Sequence, residues 1–536
     1  MFPIYVNQAG YLPASKKICV TAEKTDTFQI VDMQENICFN GKFICFGEDA
    51  LSGDTVYQGD FSAFDTPGKY RIISGQMSSA AFEIGSHVYD KLLYDVMRGF
   101  YFLRCGCALD KAHAGEYTHT ACHTGEAMEW ENHSVRKTVL GGWHDAGDYG
   151  RYVSPGAVAL GHLLYAWALF PDALEKLSLN IPESGNGMPD VLNECRYELE
   201  WLFQMQREDG AVYHKLTTAF HAPFVMPEED KEQMYLLPVC SFATADFAAV
   251  LALASRVYRP YDSAFADRLI DAAGKAYRWL EDHPEFLGFR NPPGCGTGGY
   301  YERDDHSNRW WAAAEMYACT GDEQYLAHAK TQLNKQISLT ALGWGDVGSF
   351  GTLALITGPY SIDEGLANQL KVAVLERATQ LETAADGCGY GAAMGENDYG
   401  WGSNMSLMAH GMIFAIADFL EGGKRYREYM LQQLHVLMGV NALGISYVTG
   451  NGEYACNKPH LRPAYADGIN DCMPGMVSGG PNRHLNDRDH SKELLREGTP
   501  PMKCFVDDWR CYSLNEITIY WNSPVIFVLA AALQSK

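Results

Sequence analysis

The feature that most constrains this chain is a change of hydrophobic period near residue 85. Before it, short apolar segments (IYVNQ, KKICVTA, TFQIVDM, GKFICFG, TVYQGDFS, GKYRIIS, SAAFEI) are broken by Gly, Pro and Asp about every ten residues, the spacing of a β-sandwich. From Ser86 onward, Tyr89, Leu93, Val96, Met97 and Phe100 recur on one helical face. At 536 residues the chain exceeds the size at which one hydrophobic core keeps growing. Two domains are therefore expected, a small all-β sandwich over 1–84 and a helical domain over 85–536.

The second domain reads as roughly twelve helices, among them 190–206, 241–258, 262–281, 364–383, 404–421 and 425–438. In 241–258, small and apolar residues (Phe247, Ala248, Val250, Leu251, Ala254, Val257) cover nearly the whole circumference, as in a helix packed on all sides. Other helices are one-sided. This alternation suits six helical hairpins closed into an (α/α)6 barrel. The long connections are Cys105–Gly150, Glu285–Ser307, Ala384–Ser403 and Gly439–Tyr512, and long loops in a compact domain usually carry function.

A formal charge of −24 opposes binding to a phosphate backbone, so no nucleic-acid partner is expected. No apolar run approaches the roughly 18 residues that would span a bilayer. The start, MFPIYVNQAGYLPASKK, has neither a basic segment nor a continuous apolar one of the secretory kind, so a cytoplasmic location is expected. The fifteen cysteines lack the dense spacing of a disulfide scaffold and read mostly as reduced core thiols.

Two carboxylate sites stand out. In GGWHDAGDYGRY, Asp145 and Asp148 lie three residues apart in a Gly-rich turn. An isolated DAGD is most simply a pair of capping carboxylates; the catalytic reading has one Asp hold a water while the other takes its proton, each perturbing the other's pKa. In CFVDDWRCYSLNEITIYWNSP, Glu516 sits among aromatic residues that would raise its pKa, as a general acid requires, although alone it reads as a surface Glu. In SYVTGNGEYACNKPHLR, His460 and Arg462 can donate hydrogen bonds to sugar hydroxyls.

Taken together, VNQAGY, FYFLRCG, GGWHDAGDYGRY, WAAAEMYACTGD, GWGDVGSFGTLAL, YGWGSN, SYVTG…PHLR and NEITIYWNSP follow in the order of glycoside hydrolase family 9, which the chain resembles over essentially its full length. The C-terminal pattern of that family is met by Phe505, Asp507, Tyr512, Glu516, Thr518, Asn522 and Ser523; in the His/Arg pattern, Tyr454 stands where a basic residue or Asn is usual. The resemblance implies an immunoglobulin-like first domain and inverting hydrolysis of β-1,4-glucosidic bonds. It makes Asp148 the general base, Asp145 its water-holding partner and Glu516 the general acid. His460 and Arg462 become glucosyl contacts and Asp507 a conditioner of the acid, while Tyr512 and Trp401 join the substrate site. Inversion needs acid and base carboxyls about 6.5 to 9.5 Å apart.

The resemblance also implies a structural zinc held by Cys105, Cys122, His123 and His144, a Cys₂His₂ set that on its own reads as core thiols and loop histidines. Calcium occurs in the family too; Asp304 and Asp305 are weak candidates, and a solvated acidic loop is the simpler reading. Trp143, Trp310, Trp311, Trp344, Tyr399 and Trp401 lie on or beside the long loops as stacking candidates, with core packing the default. The expected partner is an oligosaccharide, with short cellodextrins as substrate. The alternatives are an exo-β-glucosaminidase on chitosan oligomers, which the acidity would suit, and a non-catalytic sugar-binding protein.

Overall fold

A computed structural model of the chain describes residues 2–423, 425–487 and 490–534. The chain forms two compact units, Met1–Gly99 with Glu376–Lys536, and Phe100–Leu375. Twelve helices of ten residues or more occur among the described residues: α1 (Asp90–Phe102), α2 (Val153–Leu169), α3 (Asp190–Met205), α4 (Ser241–Tyr258), α5 (Ser263–Asp282), α6 (His306–Thr320), α7 (Glu323–Leu333), α8 (Gly348–Thr357), α9 (Glu364–Asp386), α10 (Ser403–Glu421), α11 (Arg427–Leu437) and α12 (Ile519–Leu533). None of the described helices is long and apolar enough to cross a membrane.

The first unit opens with seven strands: β1 (Ile18–Thr21), β2 (Thr27–Asp32), β3 (Ile37–Asp49), β4 (Asp54–Asp60), β5 (Gly68–Ser74), β6 (Met77–Ser78) and β7 (Phe82–Ile84). Their order is β1-β4-β3-β2-β5-β6, with β7 on β5. β3 changes partner along its length: residues 37–42 pair with β2, and 43–49 pair with β4 through an irregular register. That switch lets one hydrogen-bonded path fold over into two layers. Tyr11, Phe28, Ile30, Phe61, Ile72 and Phe82 fill the space between them. Tyr11 meets the rings of Phe61 and Phe82 edge-on at 5.2 and 5.6 Å, the arrangement that aromatic quadrupoles favour.

The VNQAGY segment joins this sandwich to the C-terminal third of its own unit. Asn7 Oδ1 accepts from the backbone of Ala9 and Gly10 and shapes the turn. Gln8 then donates to the carbonyls of Gly444 (3.0 Å) and Tyr454 (3.3 Å) and accepts from the Tyr454 amide (2.7 Å). In the same unit α10 packs on α11 and α12. α12 is buried over nearly its whole length, which is why IYWNSPVIFVLAAAL carries no polar face.

In the second unit α4 packs on α2, α5 and α6; α6 packs on α4, α7 and α8; and α3 packs on α2. Hence α2, α4, α6 and α8 form an inner row and α3, α5 and α7 an outer one, the alternation of an (α/α)6 barrel. In α4 every residue except Arg256 is buried, and its alanines let neighbouring helices approach closely. Enlarging one of them would cost about 1 to 3 kcal/mol through overpacking. α5 shows the outer pattern: Phe265, Leu269, Ala272, Ala273, Ala276, Tyr277 and Leu280 are buried on one face, and the Asp262 side chain caps the helix by accepting from the Phe265 amide.

A second, small sheet lies in the long loops of this unit. Its strands are β8 (Glu126–Glu129), β9 (Arg136–Thr138), β10 (Arg151–Tyr152), β11 (Lys215–Thr217) and β12 (Tyr235–Leu236), in the order β10-β11-β12-β8-β9. Strands of two to four residues are too short for a two-residue period to register, so the sequence does not announce them. β10 begins directly after the aspartate turn and fixes where that turn ends.

Candidate active site

The sequence candidates fall into two groups, one in each unit. In the second unit, Gly141 and Gly142 open the aspartate turn with φ of 85° and 79°; a Cβ on Gly142 would lie 2.7 Å from the Trp201 ring, so only glycine fits. Trp143 is buried, donating its ring N–H to Glu194 (2.9 Å) and its amide to Glu198 (2.7 Å). Arg104 pairs with Glu194 and Glu183. Burial pushes the Glu198 carboxyl up to about 8, against the opposing pull of the Trp143 amide and the Arg151 charge. Trp143 is thus a structural post of the turn rather than a sugar platform.

The Asp145 amide donates to the Gly150 carbonyl at 2.9 Å and closes the turn. Its Oδ2 accepts from the Tyr300 hydroxyl at 2.5 Å, and its Oδ1 is buried without a partner in the protein. Burial drives this carboxyl well above the ordinary range; Tyr300 opposes the shift and the charge of Asp148 adds to it. Asp148 Oδ2 accepts from the Gly150 amide (3.0 Å) and the Tyr152 hydroxyl (3.4 Å) and lies 3.2 Å from His221 Nδ1. Gly150 is required for that approach, because a Cβ there would sit 2.8 Å from Asp148 Oδ2.

Beneath the turn, one ligand atom from each of Cys105, Cys122, His123 and His144 lies within 4.8 Å of the others, and all four residues are buried. Cys105 Sγ is 3.6 Å from His123 Nδ1, and Cys122 Sγ is 4.0 Å from His144 Nε2. A tetrahedral ion with ordinary zinc bond lengths would set its sulfur and nitrogen ligands about 3.6 Å apart, so the donor set and its spacing fit zinc. His123 turns its other nitrogen to Asp230 (3.2 Å), the carboxylate–imidazole relation that commonly orients a metal ligand. Burial would lower the His123 pKa, but the Asp230 and Cys122 contacts outweigh it and leave the imidazole above its usual value. All fifteen cysteines are free, and Cys105 and Cys122 are not a disulfide.

In the first unit, Glu516 is mounted by backbone pairing: His460 N–H donates to the Asn515 carbonyl (2.9 Å), Gly479 N–H donates to the Glu516 carbonyl (2.8 Å), and His460 and Ser478 bridge to Glu516 and Ile517. The Glu516 side chain is half-buried. His460 Nδ1 lies 2.6 Å from the Trp509 carbonyl, which orients the ring, and its ring centre is 5.8 Å from that of Tyr512 in an edge-type arrangement. Trp401 stands 5.3 Å from Tyr512 and is exposed. Arg462 is buried at the start of a short helical turn, Arg462–Ala466. Asp507 accepts from the amides of Asn457 (2.8 Å) and Lys458 (3.0 Å) and from the Asn515 side chain (2.9 Å), which makes it a brace for the residue preceding Glu516.

Several sequence candidates take other places. Trp310, Trp311 and Tyr399 are buried like Trp143 and serve packing, so of the aromatic stacking candidates Trp401 is the exposed one and Trp344 is partly exposed. Asp305 is not a solvated loop acid: it is buried and pairs with Arg309 at 2.8 Å, whereas Asp304 caps the His306 amide. The sequence reading missed Tyr300, His221 and Asp230. Tyr300 lies in the long connection Glu285–Ser307 that was singled out, so that loop was its signal; His221 and Asp230 carried none.

The profile of glycosyl hydrolase family 9 matches residues 89–529, and that of the cellulase N-terminal ig-like domain matches residues 2–79. A cellodextrinase of Butyrivibrio fibrisolvens is 43% identical over 100% of both chains. A thermostable endoglucanase of Alicyclobacillus acidocaldarius, solved as a single mutant, superimposes with a TM-score of 0.94 at 34% identity over 100% of both chains. A zinc-binding triple mutant of a family 9 endoglucanase superimposes with a TM-score of 0.90 at 35% identity, over 98% of this chain and 99% of that one.

Proposed function

For a chain that belongs to glycosyl hydrolase family 9, we propose hydrolysis of β-1,4-glucosidic bonds in cellodextrins or soluble β-glucans, with inversion at the anomeric carbon. Residues 1–84 are the immunoglobulin-like domain in this reading and 85–536 the catalytic one. Asp148 takes a proton from water as that water attacks the anomeric carbon, and Asp145 holds the water. Glu516 gives its proton to the leaving glycosidic oxygen. The observation that carries the reading is the aspartate pair itself: Asp145 keeps a buried carboxylate oxygen with no protein partner beside an Asp148 already fixed through Oδ2. A merely capping carboxylate would spend its oxygens on backbone amides.

His460 and Arg462 donate hydrogen bonds to glucosyl hydroxyls, Tyr512 and Trp401 offer ring faces to the sugar, and Asp507 holds Asn515 and through it the backbone of the acid. Cys105, Cys122, His123 and His144 hold a structural zinc ion, which supplies a fixed cross-link under the aspartate turn. The His144 amide donates to the Leu103 carbonyl (2.7 Å) and its neighbour is Asp145, so the ligand set and the water-holding carboxylate share one stretch of backbone.

The test is a product profile from end-labelled cellopentaose, with the anomer followed by NMR during turnover. Inversion predicts α-anomers as the first product; first-formed β-anomers, or a trapped Asp or Glu ester, would refute the mechanism. Cellotetraose should be cut and the glucosamine tetramer left intact.

A further inference from the structure

We infer that His221 is a positioning residue for Asp148, carried by a braced loop from Thr218 to Asp230. The inference rests on the reading of Asp148 as the base. Three groups converge on Asp148 Oδ2: the Gly150 amide, the Tyr152 hydroxyl and His221 Nδ1 at 3.2 Å. The first two belong to the turn and to β10, so they come with the local chain. His221 comes from a separate segment and is the solvent-facing member, with 38% of its side chain exposed against 9% for Asp148.

The loop bearing His221 is fastened at both ends and in the middle. The Ala219 carbonyl accepts from the Gly296 amide at 2.8 Å. The Val225 carbonyl accepts from the hydroxyl of Tyr149, the residue next to Asp148, at 2.5 Å. Asp230 holds His123 at the far end, at 3.2 Å. The loop is thereby tied to the aspartate turn and to the Cys/His cluster, and these ties fix where the imidazole stands.

The chemistry gives the imidazole a purpose. A nearly buried carboxylate is disfavoured as an anion unless donors or cations face it. The ionisable groups around Asp148 include Asp145 in the turn, Tyr152 on β10, Lys215 on β11 and His221 on the loop. Asp145 opposes ionisation. Lys215 spends its three N–H donors on Asn291, Thr297 and Gly298. A hydrogen bond from Nδ1–H favours the anionic base and holds Oδ2, setting the plane in which the carboxylate meets water.

Three variants, His221→Ala, His221→Asn and Asp148→Asn, test this on cellotetraose, with zinc content and thermal midpoint confirming that each is folded. His221→Ala should lower kcat by about 10-fold or more with KM nearly unchanged. It should also move the acidic limb of the kcat/KM profile to higher pH, because the unassisted carboxylate holds its proton longer. His221→Asn, whose amide nitrogen can stand near Nδ1, should recover most of kcat and return the limb toward its original place. A limb unmoved in His221→Ala overturns the inference whether or not activity falls; should that variant not fold, a His221→Asn enzyme with a limb shifted as far as that of a fully unassisted acid, or with no recovery of kcat, overturns it. Asp148→Asn separates the two readings: if it stays active the base assignment fails, and if it is inactive while the His221 variants keep the original limb, only the role of His221 fails.

Discussion

The aspartate turn and the Glu516 segment rest on different balances of side-chain and backbone contacts. Asp145 and Asp148 are closed into a turn by backbone contacts to Gly150, but are oriented mainly by side chains from other segments, namely Tyr300, Tyr152, His221, the carboxylates of Glu194 and Glu198 on Trp143, and a Cys/His cluster below. The Glu516 backbone is held largely by pairing with residues 460 and 478–479, with the Asp507 side chain bracing Asn515, and the Glu516 side chain is half-buried. A mount made of side chains is only as durable as the identity of each participant, whereas a backbone mount tolerates exchange of its neighbours. The turn should therefore be brittle and the Glu516 segment forgiving.

The largest effects do not discriminate between mounts, because they remove the chemistry itself. Asp148→Asn and Glu516→Gln should each lower kcat about 10² to 10⁴-fold on cellotetraose. They part on a dinitrophenyl cellobioside, whose leaving group needs no proton: Glu516→Gln should recover activity there and Asp148→Asn should not. Equal behaviour of the two on that substrate would break the assignment of acid and base.

Metal loss comes next. Cys105→Ser, or prolonged chelation, should abolish bound zinc measured by mass spectrometry, lower the thermal midpoint and cut activity. Ser478→Ala, which removes the hydroxyl contacts to Leu514 and Asn515 but keeps the backbone bridge to Ile517, should lower midpoint and activity much less. Comparable losses in both would end the contrast between brittle and forgiving mounts.

Gly142→Ala is a smaller perturbation on the brittle side. It forces a side chain into a left-handed backbone position and against Trp201, and should cost about 1 to 3 kcal/mol of stability in denaturant unfolding. The smallest expected effect is a slope. With the Glu198 carboxyl at about 8 when folded and 4.5 as its ordinary value, the folded chain keeps a proton between those limits that the unfolded chain gives up. Its contribution to stability is full below about pH 4.5 and is lost as pH rises toward 8. Glu198→Gln should flatten the fall of the melting midpoint across that window; an unchanged slope would show that Glu198 is not the group responsible.

Much of this architecture was legible because its signals are local. The helices expected at 190–206, 241–258 and 262–281 occur at Asp190–Met205, Ser241–Tyr258 and Ser263–Asp282, since a period of 3.6 is written into each segment by what it must bury. What escaped depends on distant partners. Trp310 and Trp311 flank a long loop in sequence, yet both side chains are fully buried in α6. Asp305 meets Arg309 only four residues on, but its burial follows from the reach of Arg309 to the carbonyls of Leu280 and His283, which the local sequence does not show. The clearest case is His221, 73 residues from Asp148 by number and joined to it only because the loop from Thr218 to Asp230 is tied to Tyr149 and His123.

The grip of Gln8 on Gly444 also bears on how such a chain comes into being. Those partners are 436 residues apart, and ribosomes add roughly 5 to 20 residues per second. The N-terminal segment must wait on the order of half a minute or more before the carbonyls that Gln8 holds have even been synthesised. The sheet must therefore survive that interval on its own aromatic interior, and any variant that loosens Phe28 or Tyr11 should show itself first in soluble yield rather than in turnover by the finished enzyme.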